Sequence, residues 1–218
     1  MAKETFGILS EDGKRHSVGS IFGIGRNYEA HAKELANPVP QSEPVVFLKT
    51  ASSLRDLETK AEMAFIADTY HHEAELVIRV GKNCRLNEKL TWSSISHIGL
   101  GLDLTRRQVQ DQLKAKGLPW TTAKSFAGSA VMTPMIPYNG GERFEFELLI
   151  NGTLRQRGDT AHMIFSVPFI LTWLAQFNYL QEGDLIYTGT PAGVGPINKG
   201  DRFTLNLQEP SRSWTGVL

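Results

Sequence analysis

The hydrophobic pattern is that of short strands. From Glu73 to Val80, Ala74, Leu76, Ile78 and Val80 fall on one face, and Glu73, Glu75, Val77 and Arg79 on the other. Apolar runs at Phe6–Leu9, Ile21–Gly25, Val45–Leu48 and Ile98–Asp103 read as further strands, three of them glycine-spaced or edged. Phe144–Ile150 alternates into Asn151-Gly152, a strong hairpin signal, and Thr153–Gln156 returns. Glu182-Gly183-Asp184 turns into Leu185–Tyr187, a glycine-rich loop precedes a strand after Pro196, and Phe203–Leu207 is the last strand expected. A short strand at Met63–Ile66 is the only element expected in the otherwise unreadable stretch 50–70.

Helical spacing is confined to three places. Tyr28–Ala36 puts His31 and Glu34 three apart on one face. Thr105 is placed as the N-cap of a second helix, with Gln108 completing a capping box and Gly117 closing it. Ser166 and Pro168 open an apolar helix running through Phe177, which reads as core. The result is an α+β, β-rich chain with a hairpin appendage at 1–20 and one domain at 21–218.

Composition narrows the function classes. Twenty glycines and ten prolines suit a turn-rich chain, and 23 basic residues against 23 acidic ones leave no net charge to attract nucleic acid or an anionic membrane. No apolar run approaches the ~20 residues a membrane helix needs. One cysteine, Cys84, excludes an internal disulfide and fits a reducing cytoplasm.

The candidate chemistry starts at His71-His72-Glu73-Ala74-Glu75. Carboxylates two apart on a strand lie roughly 6.6–7 Å apart along it and lean onto one ion, or else lie solvated. Pattern alone favours the solvated face, since glutamate is common on the outer face of a half-buried strand. By parity His71 faces the glutamates, where a structural role suits it better than ligation. Asp103 ends a strand just before a helix, a common ligand position, with capping as its plainer role. The loop at 188–196 lacks the Gly-Lys-Ser/Thr ending of a phosphate-binding loop.

Taken together, seven pieces resemble the fumarylacetoacetate hydrolase family. They are Gly25-Arg26-Asn27-Tyr28 with His31 and Glu34; Phe47-Leu48-Lys49; His71 to Leu76; Asp103-Leu104-Thr105 with Arg107, Val109 and Gln110; Gly117 to Trp120 with Ala123 to Phe126; Met163-Ile164-Phe165; and Thr188 to Pro191 with Gly193-Val194-Gly195. The resemblance implies a mixed β-roll and one Mg²⁺ or Mn²⁺ per chain on Glu73, Glu75 and Asp103. An all-oxygen anionic set suits a hard cation. It further implies His31, oriented by Glu34, as base; Lys124 as the group stabilising developing charge; and Arg26, Lys49, Arg107, Gln110 and Thr190 as substrate contacts. The His31–Glu34 helix is expected to act as a lid, with Gly23 and Gly25 as hinges. A homodimer is expected. Thr50, where many relatives carry proline, is a departure.

The implied reaction is hydrolysis of a small acylpyruvate, such as fumarylpyruvate or acetylpyruvate, to pyruvate and a carboxylic acid. Decarboxylation or tautomerisation of oxaloacetate would use the same site. A non-catalytic metal-stabilised binding protein is a third reading, which the dyad and Lys124 disfavour.

Overall fold

The computed structural model describes residues 7–57 and 70–218. The strand expected at Met63–Ile66 lies outside the described residues.

The chain opens with a hairpin of β1 (Gly7–Leu9) and β2 (Arg15–Ser17), turning at Gly13 with φ +80°. β3 (Ile21–Gly25) runs into helix α1 (Glu29–Glu34) and returns antiparallel as β4 (Val45–Lys49). β5 (Leu54–Asp56) and β6 (Tyr70–His72) follow. β7 (Ala74–Val80) and β8 (Ile95–Asp103) form the centre, paired so that Ala74 faces Leu102 and Leu76 faces Leu100. Then come β9 (Thr105–Arg106), α2 (Arg107–Ala115) and α3 (Thr121–Lys124). β10 (Ala130–Met132) and β11 (Ile136–Pro137) return along β8.

The second half begins with the hairpin β12 (Glu145–Ile150) and β13 (Thr153–Asp159). Asn151 and Gly152 both have positive φ, +50° and +78°, as a mirror-image two-residue turn requires. Helix α4 (Val167–Leu174) precedes β14 (Leu185–Tyr187), β15 (Gly195–Ile197), β16 (Arg202–Leu207) and β17 (Arg212–Val217).

The strands form a mixed, curled half-barrel. Its main sheet runs β4-β3-β14-β7-β8-β10-β5, with β11 also on β8, and includes parallel pairs at β14–β3 and β10–β5. A second sheet runs β13-β12-β16-β17, and a small one, β15-β6-β9, closes the end where the candidate residues collect. This is the β-rich mixed roll the sequence implies.

β7 explains the shape. Its Ala74, Leu76, Ile78 and Val80 face a large core that also holds Phe146, Leu148, Phe203 and Leu205 of the second sheet. Its opposite face is covered too: Val77 packs into a smaller core with Ile8, Ile21, Met132, Met135 and Tyr187. The alternating sequence pattern therefore misleads here. Glu73 and Glu75 do not lie on a solvated face but are 4% and 1% exposed. The N-terminal hairpin and the β10–β11 segment cover what the pattern leaves open.

Three other expectations change. Thr105 is not an N-cap; it pairs with His71 in β9, and α2 starts only at Arg107 without a side-chain cap. The apolar helix stops at Leu174, leaving Phe177 64% exposed. The chain does not end its strands at Leu207, because β17 adds an edge to the second sheet.

Candidate metal centre and the cavity above it

Three carboxylates converge at the end of the main sheet. One oxygen each from Glu73, Glu75 and Asp103 lies within 4.8 Å of the others, and all three residues are buried. Strand pairing brings them together: Ala74 and Glu75 lie opposite Leu102 and Gly101, and the Asp103 amide donates to the Glu73 carbonyl at 2.9 Å.

Glu73 and Asp103 each have cations beside them. Lys124 Nζ donates to Glu73 Oε2 and Asp103 Oδ2, both at 2.6 Å, and to Thr105 Oγ1 at 2.7 Å. Arg107 donates to Glu73 and, at 2.6 Å, to Gln110 Oε1. Lys49 Nζ lies 2.7 Å from Asp103 Oδ1 and donates to the Ser129 carbonyl at 3.1 Å and to the Lys124 carbonyl. Glu75 has the poorest company, accepting from the Gly189 amide at 2.7 Å.

The electrostatics follow. Burial, then the Asp103 and Glu73 charges, push the Glu75 carboxyl well above the ordinary range. Burial would raise Glu73 as well, but Lys124, Arg107 and His31 outweigh it and hold it well below. Burial pulls on Lys124, yet Asp103 and Glu73 prevail and raise it, so it stays an ammonium. A divalent cation fits this set. The donors are all carboxylate oxygens, the set hard cations prefer. Asp103 Oδ1 is fully buried with no hydrogen-bond partner despite its ion pair with Lys49, and so keeps a lone pair for a ligand bond.

A cavity opens above the carboxylates, lined by Arg26, His31, Phe47, Glu73, Glu75, Arg107, Gln110, Lys114, Trp120, Lys124 and Thr190 among others. It is narrow, with room for about one water. Helix α1 is its roof. The exposed pair Glu29–Lys33, at 2.6 Å, is on that helix as expected, but His31 is turned inward and 5% exposed. His31 Nδ1 lies 3.5 Å from Glu34 Oε2. Both Glu34 oxygens also accept from the Gly193 amide, at 3.1 and 3.2 Å, which ties the roof to the 188–196 loop. Burial, reinforced by Arg107 and Lys124, holds the His31 imidazole below its ordinary value and so neutral near pH 7. Asn27 anchors the start of α1: its amide donates to the carbonyls of Phe165 and Thr188 at 3.0 and 2.7 Å.

Most of the expected site residues thus meet at one cavity: Arg26, His31, Glu73, Glu75, Arg107, Gln110, Lys124 and Thr190 line it, with Asp103 and Glu34 immediately behind. Two stand differently from expectation. Lys49 lies behind Asp103, outside the cavity lining, and its ammonium is occupied by Asp103 and two carbonyls; it holds a carboxylate in place. The Thr190 hydroxyl accepts from Gln156 at 2.7 Å and donates to the Ala74 carbonyl at 2.9 Å, so its proton is committed to the fold. Gly23 has a packing role. It sits mid-strand, and a Cβ there would overlap the Phe47 ring, so the glycine makes room for a cavity wall.

Other residues were not visible as site components in the sequence. Gln156, 1% exposed, accepts from the Ala74 amide at 3.0 Å, sits 3.0 Å from His72 Nδ1 and donates to Thr190 and to the Pro191 carbonyl. It ties the start of β7 to the roof-bearing loop, and nothing in its local sequence signals this. His71 accepts from Arg107 at 3.4 Å, so both histidines serve as supports. Thr50 also finds a use: its amide donates to Ser125 Oγ at 3.0 Å, a bond proline could not make.

Comparison with known proteins places the chain in a family. The family model described as fumarylacetoacetate (FAA) hydrolase C-terminal matches residues 20–213. The chain is 40% identical over 192 residues to the human mitochondrial oxaloacetate tautomerase FAHD1, covering 86% of each. The Arabidopsis thaliana protein of the same name is 40% identical over 191 residues, covering 86% of this chain and 85% of that protein. Among solved structures, fumarylpyruvate hydrolase from Pseudomonas aeruginosa in complex with Mn²⁺ and pyruvate superposes with a TM-score of 0.89 at 28% identity, over 100% of this chain and 97% of that one. The 5-carboxymethyl-2-hydroxymuconate delta-isomerase of Mycobacterium smegmatis superposes with a TM-score of 0.76 at 29% identity, over 92% and 78% of the two chains. Matched along nearly its whole length in sequence and in fold, this chain belongs to the fumarylacetoacetate hydrolase family.

Proposed function

We propose that this protein is a metal-dependent enzyme that interconverts the keto and enol forms of oxaloacetate. The observation that carries this reading is the pairing of a buried neutral imidazole and a buried ammonium in one narrow cavity, beside three carboxylates able to hold a cation. The identity to proteins named oxaloacetate tautomerase supports it.

Tautomerisation breaks one C–H bond at C3 and forms one O–H bond at the 2-oxygen. His31, kept neutral by burial and oriented by Glu34, takes the C3 proton; the electron pair left behind becomes the C2–C3 double bond. Lys124, kept charged, donates a proton to the 2-oxygen. Proton exchange with water through the cavity mouth returns both groups to their starting states. A cation on Glu73, Glu75 and Asp103, Mg²⁺ or Mn²⁺, would polarise the 2-oxo group as a Lewis acid. Closing α1 keeps bulk water from the reacting carbon.

Hydrolysis of a fumarylpyruvate-like acid is the second reading, favoured by the likeness to a hydrolase whose structure holds Mn²⁺ and pyruvate. His31 and Glu34 would then activate water toward C4. The test is to supply Mg²⁺ and follow enol-oxaloacetate absorbance, CO₂ release, and pyruvate release from fumarylpyruvate and acetylpyruvate. Metal-dependent loss of the enol without CO₂ is expected. Pyruvate from an acylpyruvate with an inert enol would move the assignment to hydrolase, and equal pyruvate and CO₂ from oxaloacetate to decarboxylase. The single buried Cys84 suits a reducing compartment, cytoplasmic or mitochondrial.

A further inference from the structure

Above the carboxylates the cavity carries more positive charge than its chemistry at the floor uses. Helix α2 presents Arg107, Gln110 and Lys114 at i, i+3 and i+7, one face of a helix, and all three line the cavity. Arg107 already donates to Glu73, Gln110 and His71. Lys114 stands farther along the helix; its nearest acid, Asp111, is 3.9 Å away with a side chain 63% exposed.

Arg26 faces the same space from the other side. It sits between β3 and α1 with φ +59°, a conformation a non-glycine residue adopts only where its surroundings hold it. Among the described residues its guanidinium has no hydrogen bond and no carboxylate partner; it lies over the Trp120 ring, 5.9 Å from the centroid. Lys114 Nζ lies 5.5 Å from the same centroid. Trp120 is steadied by Phe47, ring centroids 6.3 Å apart. Burial acts first to lower both Arg26 and Lys114, and Arg107 adds to it for Lys114.

Two partly desolvated cations beside one ring, near enough for Arg26 to act on Lys114, are an unfavourable arrangement by themselves. An anion relieves it. A guanidinium and an ammonium lining one cavity suit a carboxylate, which accepts two hydrogen bonds from the planar fork and a third from the lysine. We propose that Arg26 and Lys114, held over Trp120, form a second anion subsite that takes the far carboxylate of the substrate and so selects short dicarboxylic 2-oxo acids. This rests on the reading that the 2-oxo acid end is held at the carboxylate triad. It makes oxaloacetate a better substrate than a monocarboxylic 2-oxo acid of the same length, and assigns Lys114 and Trp120 to specificity.

The test compares two probes in Mg²⁺-loaded protein. Pyruvate has the 2-oxo acid end alone; oxaloacetate has the same end with the far carboxylate added. In R26M/K114M, KM for oxaloacetate is expected to rise at least 10-fold while the pyruvate Kd, by calorimetry, stays within 2-fold. R26K, which keeps the charge, is expected to recover part of the loss. An unchanged oxaloacetate KM overturns the subsite. So does an equal loss of pyruvate affinity, which would place these residues at the keto-acid end or in the fold. If wild-type protein does not tautomerise oxaloacetate, the catalytic reading falls and binding alone decides the subsite. Wild type must then hold oxaloacetate at least 10-fold more tightly than pyruvate, and R26M/K114M must erase that difference.

Discussion

His31 concentrates the sequence's ambiguity in one side chain. Its helix carries a solvated Glu29–Lys33 pair, and by spacing alone the histidine belongs out there with them. It is buried because α1 lies across the cavity mouth, pinned by Asn27 at one end and Gly193 at the other, contacts 138 to 161 residues apart in sequence. No local pattern encodes such contacts; only the family-like combination Gly-Arg-Asn-Tyr with His31 and Glu34 pointed inward. The same holds for Glu73 and Glu75, whose burial depends on distant segments covering both sheet faces. His31→Gln is expected to lower enol–keto turnover by about 10²–10⁴-fold at pH 7, read from enol absorbance. Because burial depresses the imidazole, the working neutral form persists at and below its ordinary value of 6.5. The acid limb of kcat/KM should therefore fall with a midpoint under 6.5 in wild type and vanish in His31→Gln. A limb centred above 6.5 would exclude His31 as the base.

At the scale of elements, strands were legible and the short connections that carry chemistry were less so. β3, β7, β8, β12 and β14 follow from apolar runs, and the Asn151-Gly152 turn from its residues. β9 was not foreseen because Thr105 and Gln108 make a good local capping box, while the pairing that prevails, Thr105 with His71, spans the chain from Tyr70 onward. That pairing sets Thr105 Oγ1 against Lys124, so the misread cap is part of the site. β17 was missed because its six residues begin with Arg212 and Ser213 and gain order only from β16. The 188–196 loop is the element most open to test. Gly193 has φ +96°, and a Cβ there would overlap the Arg155 carbonyl. Gly193→Ala is expected to cost about 1–2 kcal/mol or more. That is a Tm loss of about 2–8 °C for a chain of this size. Turnover should drop further than stability implies, since the displaced amide no longer holds Glu34. Unchanged turnover in a folded Gly193→Ala protein would disprove the latch.

Over the whole molecule, the buried Glu73 and Asp103 are offset by Lys49, Arg107 and Lys124, and burial favours the uncharged form of Glu75. The fold therefore does not need a cation to stand, unlike a small metal-nucleated domain. Chelated protein should unfold cooperatively, and Mg²⁺ at 100 times its Kd should add about 2.7 kcal/mol, or about 5–11 °C in Tm. Glu75→Gln should abolish that increment while leaving the chelated protein folded. A magnesium-insensitive Tm in wild type would remove the metal site. Among the described residues no helix is long and apolar enough to cross a membrane.

Glu34 holds the Gly193 amide and the imidazole with one carboxylate. With α1 acting as a lid, fastening the roof and aiming the base are then a single event, and no half-shut conformation is competent. On the proposed reading this is an interlocked gate: an open molecule would present a misdirected imidazole, and product would leave only once the base is disarmed. On that reading lid opening and not proton transfer would set the pace of turnover, and kcat should fall as solvent viscosity is raised with sucrose.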